Sequence, residues 1–330
     1  MTTILAGDIG GTSTRLRLFD VGEQRELSTQ VFRSGDFDGL APICQQFLSG
    51  RTIDAAAFGI AGPVLDGRVA TTNLPWLIEG AQLGRQLGTE RVALLNDLEA
   101  LALGALHLPR SSLHVLQTGV PRQGTIAVVA AGTGLGQAQL FWDGKRHIPG
   151  ATEGGHVEFA PHDDQDQALL VYARRRLEAL GAGQHVSWER LVSGPGLGWI
   201  FDFLVASKAC QPDPQVLAEL SHADPGSVIG KAAVEQRCPA SEQAVQWFVR
   251  LYARQAGNFA LSILATGGVL LGGGIAPKIL PLLTGDHFRK QFADKGRYVG
   301  LLQQIPIAVV LDQNAGLLGA QVAATQLLTN

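Results

Sequence analysis

Gly7-Asp8-Ile9-Gly10-Gly11-Thr12-Ser13-Thr14 is the stretch from which the chain is read. The apolar run Ile4-Leu5-Ala6 leads into it and predicts a short buried strand. Beyond it, Thr14-Arg15-Leu16-Arg17-Leu18-Phe19 alternates as a half-buried strand does. The glycines therefore join two strands in a hairpin, whereas a Walker loop or a Rossmann turn leads from strand to helix. The stretch has no Gly-Lys-Ser/Thr and no Gly-x-Gly-x-x-Gly. Glycines let a backbone turn tightly and approach a ligand closely, and successive N–H groups in such a turn form a nest for phosphate oxygens. Asp8 suits Mg²⁺ held through water. The structural alternative is a glycine-rich turn whose Asp satisfies its own loop.

The pattern recurs. Thr125-Ile126-Ala127-Val128-Val129-Ala130 reads as a second buried strand, followed by Ala131-Gly132-Thr133-Gly134-Leu135-Gly136 and the strand-like Gln137-Ala138-Gln139-Leu140-Phe141. Trp142-Asp143-Gly144-Lys145 supplies the next turn, as Asp20-Val21-Gly22 does in the first copy. Two such units predict two related half-domains. A third glycine site, Gly272-Gly273-Gly274, follows the apolar run Val269-Leu270-Leu271.

A length of 330 residues favours two domains over one core, and 46% hydrophobic residues are ample for both. A net charge of −3 with no basic run argues against nucleic acid and anionic membranes as partners. Cys44, Cys210 and Cys238 form neither a zinc pattern nor a disulfide framework, so a reducing cytoplasm is expected. Met1-Thr2-Thr3 opens no charged and apolar leader, so no signal peptide is expected. Phe259 to Leu283 is apolar, but its glycines, Pro277, Lys278 and Pro281 predict a helix end, a strand and a loop rather than a membrane span.

Several polar positions stand out. The loop from Arg68 to Trp76 holds Asn73, with a donor and an acceptor, and Trp76, with a flat face; together they suit a sugar, although Asn near a loop Pro is also ordinary turn chemistry. Arg91 to Leu95 reads as a strand and Leu98 to Leu106 as a helix, so Asn96-Asp97 lies at the carboxyl end of a sheet, where α/β folds bind ligands; the alternative for Asp97 is a helix N-cap. Ala151 to Pro161 is the densest polar group, with Glu153 and His156 flanking a glycine pair. It has no third metal ligand nearby and reads as a polyol site or a structural turn. Ser187 and Glu189 read as an N-cap and an early acid of the next helix, with a sugar ligand as the other reading of Glu189. Arg174-Arg175-Arg176 reads as a solvated face and Gln211 to Asp224 as a surface excursion. Ser241 to Thr266 reads as a long helix ended by Gly267-Gly268, Ile305 to Leu311 as a strand, and Asn314 to Leu328 as the closing helix.

Taken in order, Gly7 to Thr12, Asn96-Asp97, Gly132 to Gly136, Glu153 to Pro161, Ser193 to Leu197 and Leu271 to Ile275 resemble the bacterial glucokinases of the hexokinase type. These belong to the actin-like superfamily of sugar kinases and Hsp70-type ATPases. The motifs span nearly the whole chain; each is weak alone and the ordered set is specific. The neighbouring repressor/kinase family shares the Glu-x-x-His element but follows it with a cysteine-rich zinc loop, and no cysteine lies between Cys44 and Cys210.

The resemblance implies an α/β fold of two actin-like, ribonuclease H-like domains, with mixed sheets flanked by helices and a cleft between them. The smaller domain would be residues 1–112 rejoined by 312–330, and the larger 113–311. Gly7, Asp8, Ile9, Gly10, Gly11 and Thr12, with Gly132, Thr133 and Gly134, would hold the phosphates of ATP, and Asp8 the Mg²⁺. Gly272, Gly273 and Gly274 would admit the adenosine. Asn73, Asn96, Asp97, Glu153, His156 and Glu189 would bind glucose, with Asp97 as general base for its 6-hydroxyl. A homodimer is also implied. A kinase for mannose, fructose or N-acetylmannosamine, a non-catalytic sugar sensor, and an NAD-dependent dehydrogenase are the other readings; the last lacks its strand-to-helix glycine motif.

Overall fold

The computed structural model describes residues 2–71 and 74–329. In chain order the elements begin with β1 (Thr3–Ile9), β2 (Ser13–Asp20), β3 (Arg25–Arg33), α1 (Leu40–Leu48), β4 (Ala55–Ile60), β5 (Arg68–Ala70), β6 (Leu77–Glu79), α2 (Gly80–Leu87), β7 (Val92–Asn96) and α3 (Asp97–Ala105). There follow β8 (Leu113–Gln117), β9 (Ile126–Ala131), β10 (Leu135–Trp142), β11 (His147–Thr152), α4 (Asp164–Ala179), α5 (Gly194–Ala206), α6 (Pro214–Leu220), α7 (Pro225–Val234) and α8 (Pro239–Ser262). The chain closes with β12 (Gly268–Gly272), α9 (Ile275–Lys278), α10 (Leu280–Leu283), α11 (Asp286–Ala293), α12 (Val299–Gln304), β13 (Ile307–Val310) and α13 (Ala315–Gln326).

The repeat read in the sequence is present in the topology. One sheet is ordered β3-β2-β1-β4-β7 and the other β11-β10-β9-β12-β13-β8. In each, the strand before the glycine turn is flanked by the strand after it and by a later strand of its own repeat. β1 is antiparallel to β2 and parallel to β4, and β9 is parallel to β12. Even the second turns match. Asp20 Oδ1 accepts the N–H of Gly22 at 2.9 Å, and Asp143 Oδ1 accepts those of Lys145 and Arg146 at 2.8 Å each. Both are side-chain-to-backbone turns of the kind short Asp favours.

The chain divides into two compact units. Met1–Leu113, Ala138–Ala151 and Asp312–Asn330 form the first, and His114–Gln137 with Thr152–Leu311 the second. In the first, β2 alternates buried and partly exposed residues along its length, as its sequence predicts. α1 buries Ile43, Cys44, Phe47 and Leu48 at helical spacing. The closing helix α13 lies so close to α3 that a Cβ on Gly319 would stand 1.7 Å from Ala100 O, and one on Gly104 1.9 Å from Ala315 O. Only glycine allows that approach, and it fixes α3 beside the sheet. In the second unit the long helix α8 buries Trp247, Phe248, Leu251, Tyr252 and Phe259.

Several local expectations are corrected. β1 continues through Gly7 and Asp8 to Ile9, so the turn itself is Gly10 to Thr12; pairing with both β2 and β4 carries the strand past the first glycine. Trp76 is 4% exposed and its Nε1–H donates to Phe37 O at 3.1 Å, so it is a core residue and offers no face to a sugar. Asn73 lies outside the described residues. No helix starts at Ser187. Its segment makes a bridge to Glu158, and the cap is Ser193, whose Oγ accepts the N–H of Gly196 at 3.1 Å. Of the three arginines, Arg174 and Arg175 are exposed, whereas Arg176 donates to Tyr172 and Asp202 and stacks on Trp199. α8 stops at Ser262, before Leu264 turns to a positive φ of 50°. The excursion from Gln211 contains α6, and the short helices α9 to α12 had no sequence signal. Among the described residues no helix is long and apolar enough to cross a membrane.

Candidate active site

In the first unit, the polar positions lie at the carboxyl ends of β1 and β7. Asp8 pairs in register with Arg15 across β1 and β2. Burial pushes its carboxyl above the usual carboxylate range, and Arg15 opposes that shift. Its Oδ1 would be 3.6 Å from a Cβ on Gly316, so the carboxylate looks onto a bare stretch of backbone at the start of α13. In the turn, Gly10 N–H donates to Ser13 O at 2.9 Å, and Ser34 braces it by donating its N–H to Thr12 O and its hydroxyl to Gly10 O. The N–H groups of Gly11 and Thr12 make no hydrogen bond to a described residue, and these two can receive an anion. Gly7 and Ile9 serve packing instead. A Cβ on Gly7 would lie 2.5 Å from the Phe58 ring, and Ile9 is buried in the core.

β7 ends at Asn96 and α3 begins at Asp97, but the cap is Asn96. Its Oδ1 accepts the N–H of Leu98 at 2.9 Å, and Glu99 Oε2 accepts the N–H of Asn96 at 2.9 Å, a reciprocal capping box. Asn96 also donates through Nδ2 to Gly62 O at 3.0 Å. Asp97 is thus the first helical residue, with its Oδ1 accepting the N–H of Leu98 at 2.9 Å. Glu99 was missed by the sequence reading, although Asn96-x-x-Glu99 at the head of a helix is a capping-box spacing. Its other oxygen accepts the N–H of Ala151 at 3.1 Å.

In the second unit, the structure brings Glu153, His156 and Glu189 together. His156 Nε2 stands 3.7 Å from Glu153 Oε2, and its Nδ1 3.8 Å from Glu189 Oε1. Both separations exceed a hydrogen bond, so acceptor, donor and acceptor remain available side by side. Glu153 and His156 are open to solvent, at 61% and 58% side-chain exposure, and Glu189 less so at 29%. Among the described residues, no three His, Cys, Asp or Glu side chains are grouped to hold a metal ion.

The glycine turn after β9 lies next to this group. Gly132 N–H donates to Gly134 O at 2.8 Å, and Gly132 O accepts the N–H of Gly194 at the head of α5, also at 2.8 Å. Gly132, Thr133, Gly194 and Gly274 line a cavity of about 710 Å³. Its other walls come from Asp224, from α7 (Ser227, Lys231, Val234, Glu235) and from Ile275, Lys278 and Ile279, so apolar side chains, two ammonium groups, two carboxylates and bare backbone share one space. That is the size and composition of a small-molecule site. Lys231 and Lys278 carried no sequence signal. The glycines around this space differ in purpose. A Cβ on Gly132 or Gly274 would meet nothing within 4 Å, whereas one on Gly273, at φ 80°, would lie 2.3 Å from Ala131 O. Gly272 is the last residue of β12.

A glucokinase family model matches residues 5–327, the whole span of both units' motifs. The chain belongs to the glucokinase family. It is 39% identical to a glucokinase of Nostoc sp. over 346 aligned residues, covering 99% of this chain and 100% of that one. A glucokinase of Yersinia pestis is 35% identical over 326 residues, covering 97% and 96%. Among solved structures, glucokinase from an Antarctic psychrotroph superposes with a TM-score of 0.83 at 28% identity, covering 99% of each chain. The chain is thus matched over nearly its whole length, and the two-domain α/β sugar-kinase fold is the fold of this chain.

Proposed function

We propose that this chain transfers the γ-phosphoryl group of ATP to the 6-hydroxyl of glucose. The observation that carries the reading is the acceptor, donor and acceptor set of Glu153, His156 and Glu189, held next to the glycine turn that lines the 710 Å³ cavity. Carboxylates accept from sugar hydroxyls, and an imidazole can donate to or accept from them. Backbone and lysine ammonium groups along the cavity suit a nucleotide's phosphates, and Val234, Ile275 and Ile279 suit its base.

In this reading Asp97 accepts the proton of the attacking hydroxyl. Phosphoryl transfer needs positioning and charge stabilisation more than covalent chemistry, and no nucleophilic side chain is required. Asp97 is supplied at a fixed point because Asn96 and Glu99 cap the helix for it. Asn96 keeps one amide N–H for a sugar oxygen, and Asn73 would add a further contact. Gly11 and Thr12 N–H would hold phosphate oxygens. Asp8 fits Mg²⁺: a half-buried carboxylate disfavoured in its charged form gains from a cation held through water. When bound, the ion would neutralise charge on the transferring phosphate. We also propose residues 1–112 with 312–330, and 113–311, as the two domains, a homodimer, and a cytoplasmic location.

A coupled assay with a panel of sugars and phosphoryl donors tests the reading. Glucose with ATP and Mg²⁺ is expected to give the highest kcat/KM. A preference for fructose, mannose or N-acetylmannosamine would move the substrate and keep the reaction. Sugar binding without turnover under all donors would make the chain a sensor.

A further inference from the structure

Glu189 touches two functional segments at once. Its backbone N–H donates to Gly155 O at 2.9 Å, which ties it to the turn carrying Glu153 and His156. Its Oε2 accepts the N–H of Leu135 at 3.0 Å, directly after the glycine turn. Its Oε1 faces His156 Nδ1 at 3.8 Å. The fit against the turn is close enough that a Cβ on Gly134 would stand 2.4 Å from Oε2. One carboxylate thus gives one oxygen to the sugar-facing group and the other to the turn that lines the cavity.

We propose that Glu189 is a positioning residue that couples sugar binding to nucleotide binding. The proposal rests on the assignment of those two sites above. A turn built from Gly132, Thr133 and Gly134 is closed by one internal bond, Gly132 N–H to Gly134 O, and glycine leaves the rest of its shape to restraints from outside. It has one at each end: Gly194 N–H on Gly132 O, and Glu189 Oε2 on the Leu135 N–H. The two carboxylate oxygens are rigidly joined. A sugar hydroxyl donating to Oε1 fixes the plane of the carboxylate, and with it the direction of Oε2 toward Leu135. Hydrogen bonds to a charged group are the strong ones, so the restraint on the turn tightens when the sugar is bound. By reciprocity a nucleotide seated on the turn favours sugar by the same factor.

The test is calorimetry of Mg·AMPPNP binding with and without saturating glucose, in the parent, Glu189→Asp and Glu153→Gln. Glucose is expected to tighten AMPPNP binding in the parent by about fivefold or more, the low end of ordinary coupling. Glu189→Asp is too short to reach both partners, so that ratio should fall to about one while each ligand still binds. Glu153→Gln should weaken glucose yet keep the ratio once glucose saturates. If Glu189→Asp fails to fold, Glu189→Ala replaces it; with no polar side-chain atom to reach either partner, it should lose the ratio too. A parental ratio retained in the Glu189 variant, or no ratio in the parent, would overturn the coupling. Failure of the parent to bind glucose at all would instead overturn the assignment of the sugar site.

Discussion

Glu99 Oε2 accepts the backbone N–H of Asn96 at 2.9 Å, while the Asn96 side chain accepts the N–H of Leu98. The head of α3 is therefore capped by Asn96 and Glu99, with Asp97 Oδ1 a second acceptor for the same Leu98 N–H.

Asp97→Asn is expected to leave melting within a degree or two of the parent, because the capping box is untouched and the side-chain size is kept. Glucose affinity by calorimetry should remain measurable. Loss of a general base typically costs roughly 10²–10⁴-fold in rate, so kcat should fall at least about a hundredfold. A kcat within about fivefold of the parent would remove Asp97 from the chemistry.

Glu99→Ala removes the reciprocal half of the box and leaves the N–H of Asn96 and of Ala151 without their acceptor. The Asn96 bond is half-buried, the Ala151 bond is exposed and the Asn96 cap remains, so the loss should be about 0.5–1.5 kcal/mol. Urea unfolding should show that loss, and Glu99→Gln, which keeps an acceptor oxygen, should recover part of it. Equal stability of Glu99→Ala and the parent would mean that the box contributes nothing.

The glycines after β12 should separate cleanly. Gly274 has an ordinary helical backbone and open space where a Cβ would go, so Gly274→Val should fold and bind AMPPNP more weakly, with glucose binding kept. Gly273 combines a φ of 80° with Ala131 O at 2.3 Å from any Cβ, so Gly273→Val should be strongly destabilised whatever its ligands. Unchanged nucleotide affinity in folded Gly274→Val would refute the nucleotide assignment of the cavity.

Asp8 gives a pH signature. An acid whose folded pKa lies above its unfolded value binds its proton more tightly when folded, so its effect on stability turns unfavourable as pH rises through the carboxylate range and stays so at neutrality. Asp8→Asn should therefore melt higher than the parent at pH 7 in the absence of Mg·ATP. The difference should shrink toward acid pH, where Asp8 is protonated in both states. Its activity should fall even as stability rises. A variant that melts lower than the parent at neutral pH would contradict the burial cost.

The local sequence determined much of this molecule. Strand-like and helix-like runs marked β1, β2, β7, β9, α3, α8 and α13, because those elements bury one face or all of a short strand. The two strand–glycine turn–strand units announced the duplicated sheet, and the ordered motifs announced the family. What local sequence could not supply was the purpose of each glycine and each cap. Whether a Cβ fits at Gly134 depends on Glu189, and at Gly273 on Ala131, atoms brought there by distant parts of the chain. Trp76 turned inward because Phe37 O and the core around it offered both a partner and an apolar place. Capping of α3 fell chiefly to Asn96 and Glu99, because Asn96 has the extended backbone of an N-cap residue while Asp97 is already helical. Such decisions are contacts between residues far apart in sequence, or the exact meeting of two elements, and only the folded chain creates them.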